Sequence, residues 1–307
     1  MDTRSILMSR RLLAFLPCVL ATMFAALLLA SCGDHGGIAT RNPPVADPSA
    51  LPPAPRLALV LSSGGPRGFA HIGVLKVLAD AGVTPDLIVG TSSGAFVGVL
   101  YAADPRPDVL EAKALALDGA DVFDYDVFRR RISGAALQSW VNAAIGHAPL
   151  DRLRVPVAVI AFRQDTGVPV AFTRGDAGAA VRASSASPGS FAPVRISGVT
   201  YVDGDLGAPL PVAIARALGA QRVVAVDVAQ NVSRAPAPPN SPASWTFEAI
   251  ERRARIERES SGADLLIEPP LPYVTGFSAA YRRMAIATGE DAARAVLPQL
   301  RALSAKP

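Results

Sequence analysis

The sequence has few of the residues that most often build metal centres and covalent crosslinks. Its 307 residues include two cysteines and three histidines. Neither number is enough for a cysteine-rich zinc site or a disulfide scaffold. The formal net charge is only +4, and no basic cluster with interleaved aromatic residues is present, so nothing indicates a nucleic-acid partner.

Apolar residues, by contrast, are plentiful. They make up 50% of the chain, which is enough to bury a substantial core. The length allows one large domain or two small ones.

The first 31 residues have the pattern of an export signal. Three arginines (Arg4, Arg10 and Arg11) precede an apolar run from Leu12 to Leu29. The alternative is a transmembrane anchor, because the run is nearly long enough to span a bilayer. A proline within the run and small residues at its end favour cleavage by a signal peptidase.

The end of this segment, Leu29-Ala30-Ser31-Cys32, resembles a bacterial lipobox. We therefore predict a lipoprotein signal peptide over residues 1–31, with a lipid on Cys32 that attaches the protein to a membrane of the bacterial cell envelope. Gly33 is not the aspartate that marks inner-membrane retention in many Gram-negative lipoproteins. The periplasmic face of the outer membrane is therefore the favoured location.

Residues 32–55 contain many prolines and few large apolar side chains. Such a segment cannot bury enough surface to offset the entropy of ordering it. We predict that it is a tether, and that one folded domain covers residues 56–307, with its core motifs over residues 57–228.

The folded domain is predicted to begin with a βαβ unit. The apolar run Leu57–Leu61 predicts a buried strand, and Phe69–Ala81 has the pattern of an amphipathic helix. A second apolar run, Leu87–Val89, predicts a parallel neighbour of the first strand. The glycine-rich loop 62–68 and the turn after Val89 then lie side by side at one end of the sheet.

That second turn, Gly90-Thr91-Ser92-Ser93-Gly94, fits the G-x-S-x-G pattern of a nucleophile elbow. The pattern needs a strand before it and a helix after it, and the flanking residues 87–89 and 95–103 suit both. The alternative is an ordinary glycine- and serine-rich turn. If the elbow forms, Ser92 is its nucleophile.

The rest of the chain alternates strand-like and helix-like segments, which predicts an α/β fold with a largely parallel sheet. Residues 119–149 lack a clear pattern and are predicted to be a mixed helical insertion. Residues 231–244 hold four prolines and are predicted to be a mobile excursion.

Acyl-ester hydrolysis by a serine requires donors for the oxyanion and a proton acceptor. The donors available in the glycine-rich loop are the amides of Gly64, Gly65, Arg67 and Gly68, since proline has no N–H. The alternative for this loop is phosphate binding, but it matches neither G-x-G-x-x-G nor a Walker A loop.

Two kinds of residue could accept the proton of Ser92, an aspartate or a histidine. Asp203, at the end of a predicted strand, could contact Ser92 directly, although Asp203-Gly204 alone could equally be a plain turn. A Ser-His-Asp triad would need His147, the one histidine after Ser92 in the chain, and His71 is expected to pack inside its helix.

Four linked segments together resemble the patatin-like phospholipases. They are Gly64–Leu75, Gly90–Ala95, Ala183–Gly189 and Asp203-Gly204, in the order and spacing of that family. The resemblance implies a three-layer α/β/α fold and a catalytic dyad of Ser92 and Asp203. It also implies an oxyanion hole in the glycine-rich loop, no metal or other cofactor, and hydrolysis of phospholipids, lysophospholipids or other acyl esters.

Two positions depart from the family pattern. Ser63 replaces the first glycine of the loop, and Asp205 stands where the family has a small residue. A second carboxylate near Asp203 would alter its pKa. Two other functions stay open at this point: an esterase or thioesterase for short soluble esters, and a lipid-binding lipoprotein without catalytic activity.

Overall fold

The structure is a computed structural model. It describes residue 40 and residues 42–229, 243–273 and 275–304, without the side chains of 243–247. The predicted signal peptide and Cys32 lie outside these residues. Residues 231–242 of the predicted excursion also lie outside them. The last two residues of that segment, 243 and 244, begin a helix.

The described residues form ten strands and nine α-helices. Strands β1 to β10 cover Leu57–Leu61, Leu87–Thr91, Tyr125–Asp126, Arg131–Ile132, Val157–Arg163, Val168–Phe172, Val194–Ile196, Val199–Asp203, Arg222–Val226 and Leu265–Ile267. Helices α1 to α9 cover Phe69–Asp80, Ser93–Ala103, Pro107–Ala116, Ala135–Ala144, Ala177–Ser184, Val212–Ala217, Ala243–Ser260, Ala279–Ala295 and Leu297–Ser304.

Eight strands build one mixed sheet. Its order is β10-β9-β1-β2-β5-β8-β7, and β6 also pairs with β5. The five strands from β10 to β5 are parallel neighbours, whereas β6, β7 and β8 pair antiparallel. This confirms the predicted α/β fold with a mainly parallel sheet.

Helices cover both faces of this sheet. Along β1, the side chains of Leu57, Leu59 and Leu61 join the core cluster that includes α1, α2 and α8. Ala58 and Val60, which point the other way, join the cluster that includes α6 and α7. Central strands buried on both faces need the continuous apolar runs seen in the sequence, and the result is the predicted three-layer arrangement.

Helix α1 crosses α8 at very short range because each helix has a glycine at the crossing. A methyl group on Gly73 would lie 1.9 Å from the carbonyl oxygen of Ile286. Likewise, a methyl group on Gly289 would lie 2.0 Å from the carbonyl oxygen of Ala70. The C-terminal part of the chain is therefore packed directly onto the predicted βαβ unit.

Two predicted segments differ from the structure. The insertion contains a β3–β4 hairpin besides α4. Its strands have only two residues each, which is too short for a recognisable sequence pattern. The predicted tether also differs in its described part, residues 42–55, because this stretch makes hydrogen bonds with the folded domain. There the amide of Val45 donates to the carbonyl of Arg174, and the amide of Thr173 donates to the carbonyl of Val45, both at 3.0 Å.

Within the described residues, no helix has the length and hydropathy to cross a bilayer.

Candidate active site

Ser92 lies in a strained turn between β2 and α2. Its backbone has φ 54° and ψ −117°, a conformation that residues with a side chain rarely adopt. The two motif glycines make room for this turn. A methyl group on Gly90 would lie 2.6 Å from the carbonyl oxygen of Gly94, and one on Gly94 would lie 2.2 Å from that of Leu61. The turn therefore has the shape predicted for a nucleophile elbow.

The pairing of β5 brings Asp203 to Ser92. Strand β2 pairs with the first part of β5 and ends with Thr91 opposite Ile160. Strand β8 pairs with the remainder of β5, so that its last residue, Asp203, lies opposite Ala161. The two strands therefore meet end to end on β5. The hydroxyl of Ser92 donates to Oδ2 of Asp203 at 3.0 Å.

Ser184, from the third family-like segment, fixes the backbone of the elbow. Its hydroxyl donates to the carbonyl of Ile160 at 2.5 Å and accepts a hydrogen bond from the Ser92 amide at 2.8 Å. This side chain is fully buried, and it connects α5, β5 and the elbow. The Ser92 amide is therefore used for positioning.

Asp203 is a buried carboxylate with a high pKa. Only 5% of the residue is exposed, and burial, followed by the negative charge of Asp205, raises its pKa to about 7. Hydrogen bonds from the Asp205 amide and from Ser92, and the positive charge of Arg252, act in the opposite direction. The hydrogen bond from the Asp205 amide to Oδ1 of Asp203 is 2.9 Å long. Asp203 can thus exchange a proton near neutral pH.

The two residues that depart from the family pattern contact each other. The hydroxyl of Ser63 donates to Oδ1 of Asp205. On its other oxygen, Asp205 accepts from Nε and Nη2 of Arg252 at 2.8 and 2.7 Å. A hydroxyl and a guanidinium thus hold the second carboxylate beside Asp203, and Arg252 offsets its charge.

The glycine-rich loop forms a short 3-10 turn over Gly65–Gly68. Among the predicted oxyanion donors, the amide of Arg67 donates to the carbonyl of Gly64 at 3.2 Å. The guanidinium of Arg67 binds the carbonyls of residues 272 and 273. None of the described hydrogen bonds uses the amides of Gly64, which precedes the turn, and Gly65, which begins it.

A cavity of about 530 Å³ opens beside these residues. Ser92, Asp203, Asp205, Arg252 and the glycine-rich loop line its polar end. The remainder is lined mainly by apolar side chains from the helices and the insertion, among them Phe96, Leu100, Leu110, Phe123, Trp140 and Phe277. A cavity with one polar end and a long apolar wall suits a molecule with a hydrocarbon chain.

The structure brings neither described histidine to Ser92. His71 is fully buried, its Nε2 lies 3.0 Å from the carbonyl oxygen of Ser62, and burial lowers its pKa to about 4. His147 is exposed in the turn after α4 and does not line the cavity. The triad alternative therefore has no histidine in place.

Sequence reasoning missed Arg252 and the role of Ser184. Arg252 lies in a helix with many charged residues, none of which stands out by pattern. The described residues also contain no group of three or more His, Cys, Asp or Glu side chains placed to hold a metal ion.

Comparison with known proteins decides the family. A model described as patatin-like phospholipase matches residues 59–216, which include the glycine-rich loop, the elbow and Asp203. The chain belongs to the patatin-like phospholipase family. The residues that complete the site of this patatin-like domain include Arg252, which lies beyond the matched range.

Two relatives illustrate the similarity. An NTE family protein of Mycobacterium tuberculosis, described as uncharacterized, is 34% identical over 221 residues, which cover 69% of this chain and 61% of that protein. Human patatin-like phospholipase domain-containing protein 6 is 34% identical over 186 residues, covering 56% of this chain but only 13% of the human protein. The matches therefore leave a large part of both relatives uncovered.

The patatin-like fold also has a match among solved structures. VipD from Legionella pneumophila superposes with a TM-score of 0.52 at 14% sequence identity, covering 80% of this chain and 67% of VipD. At this identity the likeness concerns the fold alone.

Proposed function

We propose that this protein is a serine acyl hydrolase with a Ser92–Asp203 dyad, and that it hydrolyses ester bonds of membrane phospholipids or lysophospholipids. The observation that carries the proposal is the 3.0 Å hydrogen bond from Ser92 to Asp203, in a strained elbow at the polar end of an apolar cavity. The names of the family and of the human relative support the class of reaction.

The proposed reaction has two halves. As Oγ of Ser92 bonds to the ester carbonyl carbon, its proton moves to Oδ2 of Asp203. The carbonyl oxygen becomes an oxyanion, and when the C–O bond to the alcohol breaks, Asp203 protonates the leaving group. A water molecule then attacks the acyl-serine, and Asp203 again takes the proton. When the bond between the acyl carbon and Oγ breaks, Asp203 returns this proton to Ser92, and the fatty acid leaves.

The glycine-rich loop supplies the proposed oxyanion hole. Of the four predicted donors, Gly64 and Gly65 have amides that no described hydrogen bond occupies, so we assign the main role to them. Arg67 and Gly68 contribute through the 3-10 turn that fixes the two glycines. The acyl chain occupies the apolar part of the cavity.

The test compares kcat/KM on one soluble ester for Ser92→Ala, Asp203→Asn and His147→Ala, with a melting curve for each variant. Ser92→Ala should be inactive. Asp203→Asn should lose about 10²–10⁴-fold in kcat because an amide cannot accept the proton, and His147→Ala should stay near wild type. A folded Asp203→Asn protein with wild-type turnover would refute the dyad.

Substrate class is tested separately. A serine-reactive organophosphonate should label wild type and not Ser92→Ala, whereas a lipid-binding protein without catalytic activity would not be labelled at all. Activity should increase with acyl-chain length on p-nitrophenyl esters, since longer chains fill the apolar cavity. A preference for short chains would identify a soluble-ester esterase instead.

The proposed location is the bacterial cell envelope, with Cys32 carrying the lipid and the outer membrane favoured. The support is the sequence Leu29-Ala30-Ser31-Cys32 followed by Gly33. Cys32→Ser should block maturation. Normal processing and membrane association of that variant would contradict the lipobox assignment.

A further inference from the structure

The β3–β4 hairpin carries apolar side chains at its tip that nothing covers. Val127 is 73% exposed and Phe128 is 99% exposed, which makes them the two most exposed large apolar side chains among the described residues. Tyr125, at the start of the hairpin, is 58% exposed. Adjacent exposed apolar side chains indicate an interaction site more often than single ones do.

Positive charge follows the apolar tip directly. Arg129, Arg130 and Arg131 come next in the sequence, and Asp126 is the acidic residue within the hairpin. Arg129 pairs with that aspartate at 3.0 Å. Arg130 is exposed and has a left-handed backbone, with φ 53°. The tip therefore combines apolar side chains with an excess of positive charge.

The base of the hairpin is firmly attached to the wall of the cavity. The amide of Ile132 donates to the carbonyl of Ser190, and the amide of Ala192 donates to the carbonyl of Ile132, both at 2.8 Å. Ile132, at the end of β4, and Phe123, two residues before β3, line the cavity. The ring of Phe123 also packs edge-on against Phe277, with centroids 5.0 Å apart.

A second set of bonds fixes the same base to helix α4. The carboxylate of Asp124 accepts the hydroxyl of Ser133 and, at 2.8 Å, the amide of Gly134, the residue before the helix. The tip is thus held in a defined place beside the cavity that ends at Ser92.

We propose that this tip, residues 125–131, docks the protein on an anionic lipid bilayer. Val127 and Phe128 enter the boundary between head groups and acyl chains, and Arg129 and Arg130 contact lipid phosphates. The proposal rests on the proposed function, because docking brings the cavity to its lipid substrate.

The chemistry of the tip favours a bilayer over a protein partner. Stable protein interfaces bury about 800 Å² on each partner, far more than two side chains supply. Binding to an anionic lipid surface, by contrast, gains from each apolar side chain that enters the boundary region and from each arginine near the lipid phosphates.

The direct test places a fluorophore at the tip of the full-length protein. Phe128→Trp is mixed with vesicles of phosphatidylglycerol and phosphatidylcholine that carry bromine on their acyl chains, and the matched control is Val168→Trp, on the β5–β6 hairpin. The unsubstituted chain, with Trp140 and Trp245, gives the baseline. Quenching at position 128 and not at 168 supports the proposal.

Two results of this experiment would overturn the proposed docking on a bilayer. One is equal or absent quenching at both positions. The other is a blue shift of the residue 128 emission that rises with protein concentration without vesicles, since this identifies a second copy of the chain as the occupant.

Hydrolysis provides the second readout. Phe128→Ser should lower the rate on anionic vesicles about tenfold, and Arg130→Gln about fivefold, while kcat/KM on a soluble short ester and the rates of Val168→Ser stay unchanged. Equal losses on vesicles and soluble ester would overturn docking. If wild type hydrolyses neither substrate, the proposed function fails, and the quenching experiment still decides the docking.

Discussion

Asp203 is a proton acceptor whose strength depends on two neighbouring charges. Since its pKa is raised to about 7, and since only the carboxylate can take the proton of Ser92, kcat/KM should rise with pH up to about 7 and then level off. Asp205 raises this pKa and Arg252 lowers it.

These two charges predict shifts of opposite sign. Asp205→Asn should move the rising limb of the pH profile to lower pH, and Arg252→Gln should move it to higher pH. The measurement is kcat/KM on a soluble ester from about pH 5 to about pH 9. Arg253→Gln is the matched control, because Arg253 binds Asp227 and Glu268 instead.

Arg252→Lys should move the rising limb less far than Arg252→Gln does, because lysine keeps the positive charge. Shifts of the same sign in Asp205→Asn and Arg252→Gln would mean that both residues act only through the shape of the site.

Single residues differ in how well the sequence predicts them. Ser92 was predictable because the elbow is a local motif, with its glycines two positions away on either side. The partnership of Ser63, Asp205 and Arg252 was not, because these residues come from three distant segments. The sequence marked Ser63 and Asp205 as departures without indicating that one bonds the other.

Among the elements, the crossing of α1 and α8 gives the sharpest test of packing. Gly73→Ala should lower the free energy of unfolding by about 3 kcal/mol or more, because its methyl group would overlap the carbonyl oxygen of Ile286 and the helices must separate. Gly276→Ala is the control, since its methyl group would meet nothing within 4 Å. Urea unfolding of both variants measures the difference, and equal stabilities would contradict the close crossing.

Elements with a continuous apolar pattern were predicted well, and those without one were not. The predicted strand Leu57–Leu61 has the same bounds in the structure, and the predicted helix after the glycine-rich loop ends one residue early. The β3–β4 hairpin was missed because strands of two residues have no period. The described part of the predicted tether was misjudged because its bonds to the domain join residues far apart in the chain, such as the backbone bonds of Val45 and the ion pair of Asp47 with Arg174, and composition does not reveal such pairs.

Helix α7 shows how much of the site lies outside the matched family range. Two consecutive residues, Arg252 and Arg253, bind carboxylates that follow different strands: Asp205 after β8, and Asp227 and Glu268 after β9 and β10. This helix therefore ties together three strand ends at the edge of the sheet where Ser92 lies.

For the whole molecule, the buried carboxylate couples activity to stability. The folded protein keeps a proton on Asp203 up to about pH 7, whereas the reference value is 3.8. Unfolding between these values therefore releases a proton. Stability from this group is lost as pH rises through that window, and the loss is complete above about pH 7.

Asp203→Asn should therefore lose most of its activity and yet be more stable than wild type at about pH 8, by on the order of a few kcal/mol, with no gain at about pH 4. Denaturant unfolding across this range measures it. Asp291→Asn, with a side chain 80% exposed, should show no such trend. A gain for Asp203→Asn that is independent of pH would contradict burial of the charge.

The order of the sheet also determines when the protein can fold. Strand β1 is central, and one of its two neighbours, β9, pairs Leu57–Leu61 with Arg222–Val226. At ordinary rates of synthesis, on the order of ten seconds pass between these two strands leaving the ribosome. Throughout that time the middle of the future sheet has an open edge. Strand β1, which begins the domain, is therefore paired on both edges only after the last third of the chain has begun to leave the ribosome.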